Sequence, residues 1–507
     1  MYTRNRRVFN PTLELKTKTA DLACGLSSHD ADGSVRKRTR YSMGPPGISE
    51  DVTQQLSKPK IVQATNVACP NYWAGDSVSL QCTASVGHIT FGTGHQIYRS
   101  TILPAIEAAE TEVILVTCFW ARSETLDDLN DSLRELSAKA QRKNTTVRVR
   151  LCFSSSSLWQ KLSQSSSIKG HVWPQAQWRS YLGLPDIDEL QGLDVEIKSV
   201  IQLPFSVMHP KFVIIDREHV LLPSCNVSWE NWFEGCIGLR GSVVQQFVRF
   251  WQCFWASDGD EQAVTTFSNS STTPTPAARA TVSARGPYSR NLGVQAVPAM
   301  FLPSPHHRFD LPWLSSNPAP QTPLNIYLLT LFARAEREIY IQTPNLTSEV
   351  VLSEILASLE RGVNVTIVTS RKLMRLEQII TAGTTTGRCV RRLIRQYEGL
   401  RERDKTAAEG DLELGLVVHK SGRLIIRFYE PRAATDPDVV EPVQSHLKLT
   451  LVDGSIAVFG SGNMDRASWH TSQELGLALS SEALVEAIWQ ALSKAMEGRS
   501  TTVYDSD

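Results

Sequence analysis

The stretch His209-Pro-Lys211-Phe-Val-Ile-Ile-Asp216 decides how this chain is read, because it occurs twice. The second copy is His446-Leu-Lys448-Leu-Thr-Leu-Val-Asp453. At the same distance beyond each aspartate stands Ser-x-Asn, as Ser224-Cys-Asn226 and Ser461-Gly-Asn463. The residues between Lys and Asp are apolar and rich in β-branched types, so each copy reads as a buried strand. Alternate residues of a strand share a face, which pairs His209 with Lys211 and His446 with Lys448.

The repeat extends outward from these strands. Ile106-Glu-Ala-Ala-Glu-Thr-Glu-Val113 aligns without gaps to Phe332-Ala-Arg-Ala-Glu-Arg-Glu-Ile339. In both halves a strand follows, then a helix (around Leu126–Gln141 and Glu349–Arg361), then a second strand beginning at Val147 or Val363. Each half closes on a helix containing Trp-Gln, at Trp251-Gln252 and Trp489-Gln490. Strands and helices alternating in the same order predict an α/β protein of two similar lobes. Each lobe is a mixed β-sheet flanked by helices, the two related by a pseudo-two-fold axis that brings both His-Lys pairs into one cleft. The expected division is 1–70 a disordered tail, 71–256 the first lobe, 257–322 a linker and 323–500 the second lobe.

Composition bounds the rest. In 507 residues, Lys+Arg and Asp+Glu are 52 each, so the net charge gives no footprint for indiscriminate nucleic-acid binding. No apolar run is long enough to span a bilayer. The nine cysteines show no CxxC pair or zinc spacing, which points to reduced thiols in an intracellular setting. The N-terminus lacks a hydrophobic signal segment. A cytoplasmic protein with peripheral membrane contact is expected. The basic first twenty residues (Arg4, Arg6, Arg7, Lys16, Lys18) leave a mitochondrial presequence as the alternative. His306-His307 suggests metal, but sequence neighbours seldom chelate one ion and no carboxylate cluster accompanies them. No metal or other cofactor is expected.

Two imidazoles, two ammonium groups and two amides in one cleft suit phosphodiester cleavage. One neutral imidazole attacks phosphorus and the other protonates the leaving alcohol. Lys211, Lys448, Asn226 and Asn463 hold the phosphoryl oxygens.

These two motifs, with Pro223-Ser-Cys-Asn-Val-Ser-Trp-Glu-Asn-Trp-Phe-Glu234 and Gly460-Ser-Gly-Asn-Met-Asp-Arg-Ala-Ser-Trp-His-Thr-Ser-Gln-Glu474, resemble the phospholipase D superfamily. Ile341-Gln-Thr-Pro-Asn-Leu346 and Arg361-Gly-Val-Asn-Val365 look like its fungal members and, more distantly, bacterial cardiolipin synthases. The resemblance covers roughly residues 96–496 without much of the linker. It implies a covalent phosphohistidine, with His209 as nucleophile and His446 as acid, or the reverse. It also implies that Ser224 and Ser461 support the phosphate pocket and that Glu234 and Glu474 orient the histidines. Asp216 and Asp453, counted with the catalytic set as part of the motif, are structural in that family. Pro223 stands where the family commonly has Gly and predicts a first loop set differently.

The substrate stays open at this point. Trp229, Trp232 and Trp469 flank the motifs and suit a lipid pocket or simple packing. Val244, Phe247, Val248, Trp251, Phe254 and Trp255 share a helical face that fits core or membrane surface. Arg388, Arg391, Arg392 and Arg395 form a basic helical stripe that fits a headgroup, a nucleic-acid backbone or solvent. A glycerophospholipid is the expected substrate, with nucleic acid the alternative, a non-catalytic binding protein the third reading, and no obligate protein partner.

Overall fold

The computed structural model describes residues 47–58, 76–155, 170–200, 207–257, 287–306, 319–414, 420–433 and 440–507. The basic N-terminal cluster, His307, Phe309 and Trp313 lie outside them.

In the first half the elements run α1 (Ile48–Leu56), β1 (Gln81–Gly92), α2 (Leu103–Ala108), β2 (Glu112–Phe119), α3 (Glu124–Arg142), β3 (Val147–Ser155), β4 (His171–Val172), β5 (Leu193–Ser199), β6 (Phe212–Ile215), β7 (His219–Pro223), β8 (Trp232–Arg240) and α4 (Val243–Phe254). Next come β9 (Tyr288–Ser304), α5 (Pro323–Arg334), β10 (Glu338–Thr343), α6 (Glu349–Glu360), β11 (Asn364–Thr369), α7 (Arg375–Ala382), α8 (Thr386–Leu414) and β12 (Leu424–Tyr429). The chain ends with β13 (Gln444–Ser445), β14 (Leu449–Val452), β15 (Ile456–Gly460), α9 (Arg466–His470), β16 (Glu474–Ser480), α10 (Glu482–Met496) and β17 (Ser500–Asp505).

The helices form where the apolar period and a capping side chain agree. Ser123 accepts the Leu126 N–H at the start of α3, and Leu126, Leu129, Leu133, Leu136 and Ala140 line its buried face. Ser481 does the same for α10 through Leu484 N–H, with Leu484, Val485, Ile488 and Leu492 inward.

The strand order carries the repeat. In the first half it is β5-β3-β2-β6-β7-β8, parallel for β5-β3-β2 and antiparallel after. In the second it is β12-β11-β10-β14-β15-β16, with the same switch. The halves are not separate sheets. β8 pairs β1, β1 pairs β9 and β9 pairs β16, so a two-strand seam joins them. Two segments therefore depart from the expected boundaries. Residues 288–304, expected in the linker, are the long strand of that seam. Ile48–Leu56, expected in the disordered tail, is a helix that buries Ile48, Val52 and Leu56 and ion-pairs Asp51 with Arg334 of α5. The helix is short and the strand lies in a stretch whose composition suggests a linker, and both gain order from partners far along the chain. The face of α4 offered to core or membrane is core: Phe247, Trp251 and Trp255 are fully buried.

Asp216 and Asp453 close the motif strands. Each has positive φ (53° and 51°). The Asp216 carboxylate accepts the N–H groups of Glu110, Thr111 and Glu112 and the Thr111 hydroxyl. Asp453 accepts those of Glu336, Arg337 and Glu338. Each stands seven residues from its histidine, just past the far end of its motif strand. They bind the turn before β2 and β10, so they stand apart from the catalytic set with which they were counted.

Asp453→Ala should cost about 2–4 kcal/mol of unfolding free energy, because three backbone N–H groups lose a charged acceptor. Asp453→Asn keeps an oxygen and tolerates positive φ, and should cost roughly half as much. Urea denaturation measures both; equal losses would mean that only the full negative charge matters, not an oxygen acceptor or tolerance of positive φ.

Candidate active site

The two histidines are held by the opposite halves of the chain. His209 N–H donates to Gln473 C=O (3.0 Å), and Gln473 N–H donates back to Val207 C=O (2.8 Å). In mirror fashion His446 N–H donates to Phe233 C=O (2.9 Å) and Val443 N–H to Asn231 C=O (2.8 Å). β13 thereby runs parallel to the start of β8, and Met208 bridges Gln473. The residue after each bridge is an acid: Glu234 follows Phe233, and Glu474 follows Gln473.

That placement crosses the side-chain pairs. His209 Nδ1 lies 2.9 Å from Glu474, and His446 Nδ1 lies 2.8 Å from Glu234. A carboxylate only accepts, so Nδ1 carries the hydrogen in both rings and Nε2 is left as the basic nitrogen. Each acid is fixed in turn by the serine of its own half. Ser224 donates to Glu234 and accepts Gly235 N–H (2.9 Å). Ser461 donates to Glu474 and accepts Leu475 N–H (3.0 Å). The serine N–H groups bond to Gly235 and Leu475 carbonyls alike. Pro223 therefore leaves the first loop anchored as the second is. Gly460 is required in its copy, since a Cβ would meet Leu475 O at 2.2 Å.

Lys211 is buried, its ammonium 2.8 Å from His209 C=O. Lys448 is buried over the His446 ring, with Nζ 2.8 Å from Nε2 and 2.7 Å from His446 C=O. Trp232 covers the same ring, centroids 4.7 Å apart. Trp469 is buried packing, whereas Trp229 is exposed.

The electrostatics follow from burial. Burial pushes the His446 imidazole down to about 3, opposed by Glu234 and reinforced by Lys448. Burial lowers His209 too, opposed by Glu474 and reinforced by Lys211 and Lys448. Burial also pushes the Lys448 ammonium down to about 7, against the attraction of Glu234 and with repulsion from Lys211. Burial alone would raise Glu234 and Glu474. The histidines beside them, with Lys448 at Glu234 and Ser461 at Glu474, outweigh it and hold both below the ordinary carboxylate range. The groups of one half thus act on those of the other: Lys211 on His446, and Lys448 on His209.

The two asparagines are less alike than their motifs. Asn226 turns Oδ1 to Phe119 N–H (3.2 Å), which leaves its NH₂ for a ligand. Asn463 gives one N–H to Asp465 (3.0 Å), and its buried Oδ1 has no partner among the described residues. Asp465 continues to Asn345 (3.5 Å), and Asn345 to Gln378 of α7 (2.7 Å). This chain of amides was not read from sequence. Asp465 carried a signal as the cap of α9, but its partner Asn345 lies 120 positions away, and Gln378 is 33 from Asn345. His306 bonds Ser304 Oγ and Ser468 C=O, a packing link beneath Glu474. Among the described residues no group of three or more His, Cys, Asp or Glu is placed to hold a metal ion.

Residues 328–496 match the family model described as cardiolipin synthase, PLD-like domain. That stretch includes His446, Lys448, Ser461, Asn463 and Glu474. No curated protein matches the chain. Among solved structures, the phosphatidylserine synthase of Haemophilus influenzae Rd KW20 aligns over 90% of this chain and 92% of its own, with a TM-score of 0.50 and 14% identity. A phospholipase D family member, Nuc, from Salmonella typhimurium aligns over 36% of this chain and 90% of its own, with a TM-score of 0.24 and 16% identity. The fold is a phospholipase D-like one, a mixed α/β arrangement of two similar halves.

At neutral pH both rings should show the Nδ1–H tautomer in ¹⁵N NMR. Glu234→Gln should disturb His446 and leave His209 unchanged; the reverse pattern would contradict the crossed pairing. The lowered histidines and carboxylates also set a pH window. The unfolded state binds more protons than the folded one between about pH 3 and 6.5, so stability rises with pH there and is lost as pH falls. Thermal melts should show this fall, and His446→Gln should make it shallower.

Proposed function

We propose that the chain is a phospholipase D-type phosphodiesterase or phosphatidyltransferase that cleaves a glycerophospholipid through a phosphohistidine. The crossed His–Glu pairs, in reach of two buried lysines, carry this reading. A phosphodiester brings one negative charge into a site where Lys448 is held only weakly protonated, so its binding restores the ammonium. The same anion favours an imidazolium, which reverses the lowering of the acid histidine.

His209 is the better nucleophile. It is the more exposed ring (14% against 4% for His446), and its Nε2 has no bond among the described residues. Its lone pair forms the N–P bond while the bond from phosphorus to the leaving alcohol breaks, and His446 gives that alcohol a proton. Water or a second alcohol then attacks phosphorus, passes its proton to His446 and frees His209. Lys211, Lys448 and the Asn226 amide stabilise the charge that builds on the phosphoryl oxygens.

The lipid substrate is supported by what the matched proteins are called: a cardiolipin synthase domain and a phosphatidylserine synthase. Membrane contact is peripheral in this reading.

Pure protein with phosphatidylcholine, a short primary alcohol and EDTA should yield the phosphatidyl alcohol. His209→Ala and His446→Ala should each lower turnover by at least about 10²–10³-fold. With phosphorus-labelled lipid, His446→Gln should accumulate acid-labile label on His209. Label on His446 in the His209→Gln variant would reverse the roles. Nicking of DNA or RNA without lipid turnover would overturn the lipid assignment.

A further inference from the structure

The helix α7 (Arg375–Ala382) is packed inside out. Its one buried residue is polar, Gln378. Its large apolar residues face solvent: Leu376 is 73% exposed, Ile379 46% and Ile380 45%, with Met374 just before it at 38%. Leu376, Ile379 and Ile380 are spaced i, i+3, i+4 and form one stripe, and Gln378 lies on the other side.

Nothing in the local structure explains the stripe as leftover core. The helix is delimited by Met374 and Gly383, both at positive φ (49° and 65°), so it is a defined turn between β11 and α8. Its inner side is fixed by Gln378, which donates to Asn345 Oδ1 (2.7 Å) and Leu373 C=O (2.7 Å) and accepts Thr386 N–H (2.6 Å). The surrounding charge is mostly positive, although Arg392 is paired with Glu349. Residues 371–395 hold seven Lys and Arg against a single acid, Glu377. Arg371, Lys372, Arg375 and Arg388 are exposed.

From the apolar stripe and its basic collar we infer that α7 is the surface by which the protein docks on an anionic phospholipid bilayer. An apolar helical face bordered by Arg and Lys is what an interfacial helix offers such a surface. Among the described residues no helix is long and apolar enough to cross the membrane, so docking of this kind lies flat. The inner side of α7 also reaches the site: Gln378 holds Asn345, Asn345 holds Asp465, and Asp465 holds the Asn463 amide. Docking thus occurs at an element bonded to the phosphate loop. The inference extends the lipid-substrate reading, but bilayer binding is measurable without turnover.

The full chain is to be sedimented with phosphatidylcholine vesicles with and without phosphatidylglycerol. Amide exchange is followed in both and in vesicle-free protein. Co-sedimentation should require phosphatidylglycerol and weaken with salt, and residues 371–383 should gain protection. Leu376→Ser/Ile379→Ser/Ile380→Ser should lower binding at least about tenfold. Reversing Arg371, Lys372 and Arg375 to Glu should lower it by about fivefold or more per residue. Both variants should keep wild-type turnover of a soluble phosphodiester such as bis-p-nitrophenyl phosphate. No vesicle binding, binding without protection of α7, or an α7 already protected without vesicles by a second copy or another segment would each overturn the inference. Binding through α7 with no lipid turnover would leave the docking in place and sink the substrate assignment instead.

Discussion

Everything at the site depends on a backbone exchange between the halves. The segment before each histidine bonds to the segment before the other half's acid, through His209–Gln473 and His446–Phe233. With that ladder set, the residue following each bridge is a carboxylate aimed at the other half's imidazole. Neither half holds a complete site, because each supplies a histidine whose tautomer is fixed by its partner. This makes the β8-β1-β9-β16 seam part of the chemistry. A small slide at the seam would separate both His–Glu pairs at once.

The charges explain why the site suits an anion. Two ammonium groups and two carboxylates are buried with two neutral rings. A buried ion is costly unless paired: burial pushes Lys448 down to about 7, Lys211 repels it further, and Glu234 offsets only part of this. In the proposed reaction a phosphodiester would supply the negative charge that the buried ammonium groups lack, and the same groups would stabilise the additional charge of the transition state.

Much of this was legible in the residues, and the limits have physical reasons. The motif strands and helices follow period-2 and period-3.6 patterns that a local window contains, so their order and the fold class could be read. The His-Lys pairs read as i, i+2 on a strand, but the strands begin one residue after each lysine, at Phe212 and Leu449, so each pair sits in the segment leading into its strand. The seam could not be read, because the β1–β9 ladder forms between segments some 200 positions apart and β9 lies in a stretch whose composition suggests a linker. The carboxylate role of Glu234 and Glu474 came from resemblance. That each serves the opposite half is a matter of three-dimensional register. Asn463 was grouped with Asn226 because the motifs match; the difference arises from Asp465, where the first half has Ser228.

The halves are alike in backbone and unlike in detail, and the differences make the surroundings of the two histidines unequal. His446 is the more buried ring, is covered by Trp232 and has Lys448 against Nε2. In the second half the position matching Trp232 is Ser472, and the His209 ring is more exposed, its Nε2 without a bond among the described residues. A symmetric pair of imidazoles could exchange roles, since nothing would distinguish attack from one side or the other. Here the ring with an open basic nitrogen suits attack on phosphorus. The ring under an aromatic cover, beside an ammonium that a substrate anion would neutralise, suits holding a proton only while substrate is bound. Trp232 over His446 and Asp465 beside Asn463, with no like residue at the matching positions of the other half, are what make the two halves of the site unequal.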